Sequence, residues 1–293
     1  MEGLREILYK LRRYEIKIRK AVNTEMHGDF HSVFKGSGLE FDDVRAYQYG
    51  DDVRTIDWNV SAKGEGTFVK TFKEEKEQNV FFIIDVSGSQ HIGKEGKQKI
   101  DISKEICGVL SFSALKEGSS VGLLCFSNQR EKYIKPKKGA KHIYELIGSL
   151  FKLQTQSSKT SLTKAIRLAM NIIKRKSIIV IISDFVDENY EQSLKALAKK
   201  HDLIAIHIAD QRETELPPLG IVPLLDKESG NTIWVNSSSK DFRKGIIGKF
   251  AEKQANLEKL CHKHRTNYVF INTSEDYVPK LVKMFRVRNL TKK

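Results

Sequence analysis

Cysteine is sparse: Cys107, Cys125 and Cys261 stand far apart, with no C-x-x-C pair. That spacing excludes a zinc knuckle or a dithiol redox couple and leaves buried thiols in a reducing compartment as the reading. Also missing are an apolar run long enough to cross a bilayer and a leader peptide with an apolar core. No Walker lysine loop or H-E-x-x-H pair occurs. His27, His31, His201 and His207 therefore read as hydrogen-bonded or solvated side chains rather than metal ligands. Glycine and proline, at 19 and 5 residues, are too few for a fibrous or mainly disordered chain. Acidic residues are in deficit, 37 against 51 Lys and Arg, for a formal charge of +14. Such an excess favours acidic partners, whether nucleic acid, an anionic membrane face or an acidic protein surface. The basic residues are scattered among acids without interleaved aromatics, which argues against specific nucleic-acid recognition.

What is present is enough, at 293 residues, for a substantial core in one large domain or a domain with an appendage. The amino terminus can form a basic amphipathic helix, with Leu4, Ile7, Leu8, Leu11, Tyr14 and Ile18 on one face and Arg12, Arg13, Lys17 and Lys20 around it. Such a helix docks on its own domain or lies on acidic lipid. The expected location is the cytoplasm, with peripheral association at the inner face of the membrane as the extension of that helix's chemistry. Residues 24–78 are rich in Gly, Asp, aromatic and Arg residues, turning at Gly50, Gly64 and Gly66, with a strand at Thr67 to Phe72. Asp51, Asp52, Arg54 and Asp57 suit a turn and ion-pair network with Arg45 and Arg54 as bidentate donors, and catalysis by two of these carboxylates is the alternative. The division expected is 1–78 as an amphipathic helix and β-rich embellishment, and 79–293 as the main domain.

From Val80 the elements alternate regularly. Strands are expected at Val80 to Ile84, Val121 to Phe126, Ser177 to Ile182, Leu203 to Ile208 and Tyr268 to Asn272. Helices are expected at about Lys97 to Lys116, His142 to Leu150, Ser161 to Lys174, Tyr190 to Lys200, Asp241 to His264 and Val278 to Arg288. A return strand through Lys132 to Lys135 should be stopped by Pro136, and Ile221 to Leu225 with Thr232 to Val235 should form a hairpin. The repetition predicts an α/β fold: a doubly wound, mostly parallel sheet with helices on both faces and right-handed crossovers.

The chain is organised around V-F-F-I-I-D-V-S-G-S, Val80 to Ser89. Five apolar residues without alternation mark a strand covered on both faces, and a carboxylate buried at its end needs compensation. Asp85, Ser87 and Ser89 offer hard oxygens on one short loop, the donor type that magnesium takes at about 2.1 Å. The competing reading is a turn or helix cap, an ordinary use of Asp and Ser. A second apolar run ends in Ser183-Asp184, so two strands deliver an aspartate at their carboxyl ends, where open α/β sheets bind ligands. Thr160, before a helix, is a third contributor or a helix cap.

D-x-S-x-S at Asp85, Ser87 and Ser89, with Thr160 in T-x-L and Ser183-Asp184, resembles the metal-ion-dependent adhesion site of von Willebrand factor type A domains. From His27 onward the chain resembles more specifically the DUF58 family, whose members carry such a domain. The motifs are G-S-G-L-E-F at Gly36 to Phe41, Y-G-D-D-V-R-T-I-D-W at Tyr49 to Trp58, F-V-K-T-F-K-E-E at Phe68 to Glu75, S-D-F at Ser183 to Phe185, H-D at His201-Asp202 and R-E-T-E-L-P at Arg212 to Pro217. The resemblance implies a type A sheet and a magnesium ion, replaceable by manganese or calcium. Ser87, Ser89 and Thr160 would be direct ligands, Asp85 direct or water-bridged, and Asp184 mainly a support behind them. It implies a non-enzymatic module whose partner protein completes the ion with an Asp or Glu, and whose partner is an AAA+ ATPase of the MoxR type. The alternatives are a magnesium-dependent hydrolase or phosphotransfer enzyme, and a basic nucleic-acid or membrane-surface binder. Where family members commonly carry two glycines before the threonine, this chain has Ser158-Lys159, and where they carry methionine after the second serine it has Gln90.

Overall fold

A computed structural model describes residues 40–64, 66–73, 78–226 and 230–291. The expected amino-terminal helix, with His27 and His31, lies outside them. The chain divides into two compact units, Lys35–Gln78 and, among its described residues, Asn79 onward.

In the smaller unit, β1 (Glu40–Ala46) pairs antiparallel with β2 (Phe68–Lys73). The acidic motif between them is used up locally. Arg45 donates two bonds of 2.7 Å to the Asp51 carboxylate. Asp52 accepts the Arg54 backbone N–H at 2.9 Å, and Asp57 caps the helical turn Trp58–Ser61 through the N–H groups of Asn59 and Val60. Arg45 is thus the bidentate donor, whereas Arg54 takes part through its backbone.

The larger unit is built on β3 (Asn79–Asp85), β6 (Ser120–Phe126), β7 (Arg130–Lys137), β8 (Ile178–Ser183), β9 (Asp202–Ala209) and β12 (Asn267–Asn272). They form one sheet in the order β12-β9-β8-β3-β6-β7, parallel throughout except for antiparallel β7. Two short hairpins stand apart from it: β4 (Gly93–Lys94) with β5 (Lys97–Gln98), and β10 (Ile221–Leu225) with β11 (Thr232–Asn236). The helices are α1 (Lys99–Lys116), α2 (Ala140–Phe151), α3 (Leu162–Ile172), α4 (Glu191–Lys200), α5 (Lys240–Lys263) and α6 (Val278–Thr291). The architecture is the doubly wound α/β sheet the alternation predicts.

The apolar runs segregate by parity because successive strand side chains point to opposite faces. Val80, Phe82 and Ile84 of β3 pack with α1, α2 and α6 on one face. Phe81 and Ile83 pack with α3, α4 and α5 on the other. Neither face of β3 meets water, which is why its sequence has no polar alternation. Gly122 on β6 is required by close packing, since a Cβ there would stand 2.6 Å from the Phe81 ring.

Among the boundaries that differ from expectation, two have a clear physical reason. Pro136 does not stop the return strand: β7 runs on to Lys137, and as the edge strand it tolerates a residue with no N–H to donate. Helix α3 starts at Leu162 rather than Ser161, and its first turn is capped from outside, Leu162 N–H donating to Asp187 Oδ2 at 2.6 Å. Thr160 therefore stands ahead of the N-cap residue, which is Ser161.

Candidate functional site

The chain leaves β3 for β6 on one side and returns through β8 on the other, so strand order reverses between β3 and β8. The carboxyl ends of these two strands form the crevice where this sheet type binds ligands. Asp85 ends β3, Ser183 ends β8, and all of Asp85, Ser87, Ser183 and Asp184 are buried.

Hydrogen bonds tie the two strand ends together. Ser183 Oγ donates to Asp85 Oδ2 at 2.7 Å, and the Ser87 N–H donates to Asp85 Oδ1 at 3.0 Å. The hydroxyls of Ser87 and Ser89 lie 3.2 Å apart, and Ser89 Oγ donates to Asp184 Oδ2 at 2.7 Å. Asp85, Ser87, Ser89 and Asp184, separated by up to 99 positions in the chain, thus share one cluster. The loop carrying Thr160 is held against them, Gly88 N–H donating to Ser158 O at 2.7 Å and Ser161 N–H to Ser127 O at 3.2 Å. Thr160 itself is half-buried. Phe185, next after Asp184, takes the left-handed conformation with φ 51°, uncommon for an aromatic residue, and its N–H donates to Ser183 Oγ at 3.1 Å. The S-D-F motif is therefore a strained turn that aims Asp184 back at the Ser89 loop.

The cluster contains a cation that sequence reasoning missed. Lys99, the first residue of α1, is fully buried and donates to Asp184 Oδ2 at 2.7 Å and to Glu213 Oε1 at 2.6 Å. Glu213 Oε2 in turn accepts the Asp210 N–H at 2.8 Å, and Asp210 accepts from Thr273 Oγ1 beyond β12. One polar network thus runs along the carboxyl edge of the sheet from β3 to β12. The available signal was the R-E-T-E-L-P motif, which supplies Glu213, together with a lysine at the positive end of a helix, where cations are disfavoured unless paired.

This network separates the two aspartates electrostatically. Burial first, and then the neighbouring Asp184 charge, push the Asp85 carboxyl up to about 7. Burial also works against ionisation of Asp184, but the Lys99 ammonium and its hydrogen bond, with the Ser89 hydroxyl, outweigh it and hold that carboxyl below its usual range. Lys99 is raised: burial opposes its charge, and Asp184 and Glu213 more than compensate. Glu213 is raised because burial outweighs its bond to Lys99.

Among the described residues no group of three or more His, Cys, Asp or Glu is placed to share an ion. Any metal site here must draw on hydroxyls, and the Ser87 and Ser89 oxygens beside Asp85 are donors of the hard type. With its four ionisable members charged, the cluster of Asp85, Asp184, Glu213 and Lys99 carries two net negative charges, what one divalent cation neutralises. On donor chemistry and charge the residues fit such an ion. His201 and His207 do not join it: both are buried, each pushed down to about 4 by burial foremost, and His207 Nδ1 bonds the Tyr268 hydroxyl at 2.8 Å. The three cysteines are buried and free, and burial pushes Cys107 and Cys261 up to about 12.

Residues 43–256 match the family described as Protein of unknown function DUF58. An uncharacterized protein of Mycobacterium tuberculosis, Rv1480, is 29% identical over 223 residues, 75% of this chain and 70% of its own length. Mb1516 of Mycobacterium bovis matches to the same extent. Among solved structures, the conserved hypothetical protein BatB from Bacteroides thetaiotaomicron is similar over 74% of this chain and all of its own, at 15% identity and TM-score 0.45. The SpRpn10 VWA domain is similar over 70% of this chain and 94% of its own, at 13% identity and TM-score 0.38.

Proposed function

The chain belongs to the DUF58 family, and from that premise we propose that it is a non-enzymatic protein-binding module that uses a hard divalent cation, magnesium first, to capture an acidic side chain of a partner. The observation carrying this reading is the convergence of the Asp85, Ser87 and Ser89 oxygens on the Asp184 loop at the β3–β8 switch point. Asp85 would supply the anionic ligand, Ser87 and Ser89 neutral hydroxyls, and Thr160 a third hydroxyl from the adjoining loop. Asp184 orients Ser89 while its own charge is answered by Lys99. Bound there, the ion supplies a Lewis-acidic position for an incoming carboxylate oxygen. With a single anionic ligand in its shell it keeps net positive charge toward an Asp or Glu. Family resemblance points to an AAA+ ATPase of the MoxR type as that partner.

The test is titration calorimetry with magnesium and manganese, coupled to capture from native extract with and without chelator. Wild-type protein is expected to bind one ion and to lose its partner on chelation. Ser87→Ala should lose both while melting cooperatively. Capture indifferent to chelator and to Ser87→Ala, or turnover of phosphoester substrates by the metal-loaded protein, overturns the proposal.

A further inference from the structure

The Arg212–Pro217 segment faces two ways. Arg212 Nη1 donates to Gly93 O at 2.6 Å and Glu213 accepts from Lys99, so its first half closes the candidate site. Its second half lines a cleft of about 570 Å³ whose opposite wall is the start of α5. Leu216, Pro217 and Ile247 give the cleft an aliphatic lining, and Lys240, Arg243 and Lys244 surround it with positive charge.

Three features mark this cleft as a place for something acidic. Lys240, Arg243 and Lys244 crowd the first two turns of α5, where Lys240 stands unfavourably against the positive end of the helix dipole. None of the three has an ion-pair partner among the described residues, and Arg243 keeps its Nε out of water with no hydrogen-bond acceptor there. The lining acid, Glu215, is bonded to Gln211 Nε2 at 2.5 Å. Beside the cleft, the β10–β11 hairpin is rooted by Ser237 N–H to Gly220 O at 2.8 Å and Gly220 N–H to Ser238 Oγ at 2.9 Å. At that root Leu219 and Ile221 are each 69% exposed, extending the apolar surface outward.

We propose that this cleft is a second docking site, for an acidic segment of a partner protein bearing an apolar anchor. The anchor seats on Leu216, Pro217 and Ile247, and flanking carboxylates pair with Lys240, Arg243 and Lys244. A recess takes side chains, whereas a bilayer presents a flat face, and an aliphatic lining offers no ring for base stacking. The inference rests on the protein-binding reading above but needs no metal: the shared segment lets one partner span the ion and the cleft.

The test uses a fluorescein-labelled peptide of about twelve residues alternating Glu with Leu and Phe, read by anisotropy, with a Lys-for-Glu peptide as control. Wild-type protein is expected to bind the acidic peptide and not the control, with affinity falling as salt rises. Arg243→Glu with Lys244→Glu should weaken binding at least about tenfold, and exposed Lys244→Glu alone should weaken it less while melting as wild type. Chelator and Ser87→Ala should leave peptide binding unchanged, which separates failure here from failure of the metal reading. No binding, equal binding by the reversed variants, or binding lost with chelator overturns the proposal. So does wild-type protein that ignores the peptide yet sediments with phosphatidylglycerol vesicles, since the surface would then belong to lipid.

Discussion

Asp85 and Asp184 follow two apolar strands that lie side by side, at the same end of the same sheet, and both are buried. Their surroundings nonetheless drive them apart. Asp85 receives only neutral donors, Ser183 Oγ and the Ser87 N–H, and its carboxyl rises to about 7. Asp184 receives the Lys99 ammonium and stays ionised below its usual range. A buried carboxylate is tolerated when a cation answers it, and otherwise takes up a proton or recruits a charge from outside. The difference teaches that Asp184 already has its counter-ion within the fold, while Asp85 has none there and is the position at which the proposed ion would act.

The contrast breaks first at Lys99. Lys99→Met strands Asp184 and Glu213 without their cation and is expected to cost about 3–5 kcal/mol, the range for breaking a buried ion pair. Chemical denaturation in chelator measures it, and a loss below about 1 kcal/mol would mean the ammonium does not hold the cluster. Next come the aspartates, which should respond with opposite signs. Asp184→Asn leaves Lys99 with Glu213 alone and should cost about 1.5–3 kcal/mol, the worth of a charge-assisted hydrogen bond. Asp85→Asn, in chelator at about pH 8, removes an unanswered buried charge and should leave stability unchanged or higher. Equal losses in the two variants would erase the distinction.

The pH dependence follows from the same contrast. Because the folded Asp85 carboxyl is raised to about 7, the native state holds a proton that the unfolded chain has released, so stability falls as pH rises through that value. In chelator Asp85 alone should account for a loss of about 1.4 kcal/mol between about pH 6 and about pH 8, read as the difference between wild type and Asp85→Asn, because His201 and His207, held neutral by burial, gain stability over the same window. Magnesium should restore stability at the higher pH, since an ion takes the proton's place. Denaturation midpoints across that range, with and without magnesium, decide it.

Much of this site was legible because its strands are. Val80–Ile84 and Ile178–Ile182 read as doubly covered because no residue in either run is polar, and the switch-point rule then brings their aspartates together without knowledge of any contact. Lys99 was not legible. It stands in E-G-K-Q-K-I-D, which looks like a solvated helix start, and its acidic partners lie 85 and 114 positions away. A long-range ion pair leaves no local period, so the helix-start position of Lys99 and the R-E-T-E-L-P motif gain their meaning only once the strand order is known. Pro136 misled for a similar reason: whether proline ends a strand depends on whether that strand is an edge.

The smallest expected effect concerns the residue beside the Ser89 hydroxyl. Gln90 is fully buried, and neither its amide nitrogen nor its amide oxygen has a hydrogen-bond partner. It stands where the resemblance leads one to expect methionine. An unsatisfied buried amide costs about 1–3 kcal/mol, while methionine has similar volume and conforms to irregular apolar space. Gln90→Met should therefore gain about 1 kcal/mol in denaturant, part of the penalty being offset by imperfect packing. If the amide instead serves the site, the same substitution gains nothing and weakens magnesium binding, which calorimetry on the variant reads directly. That result would move Gln90 from the core to the ligand cluster, and would make the Asp85 side of the crevice richer in oxygen donors than the Asp184 side.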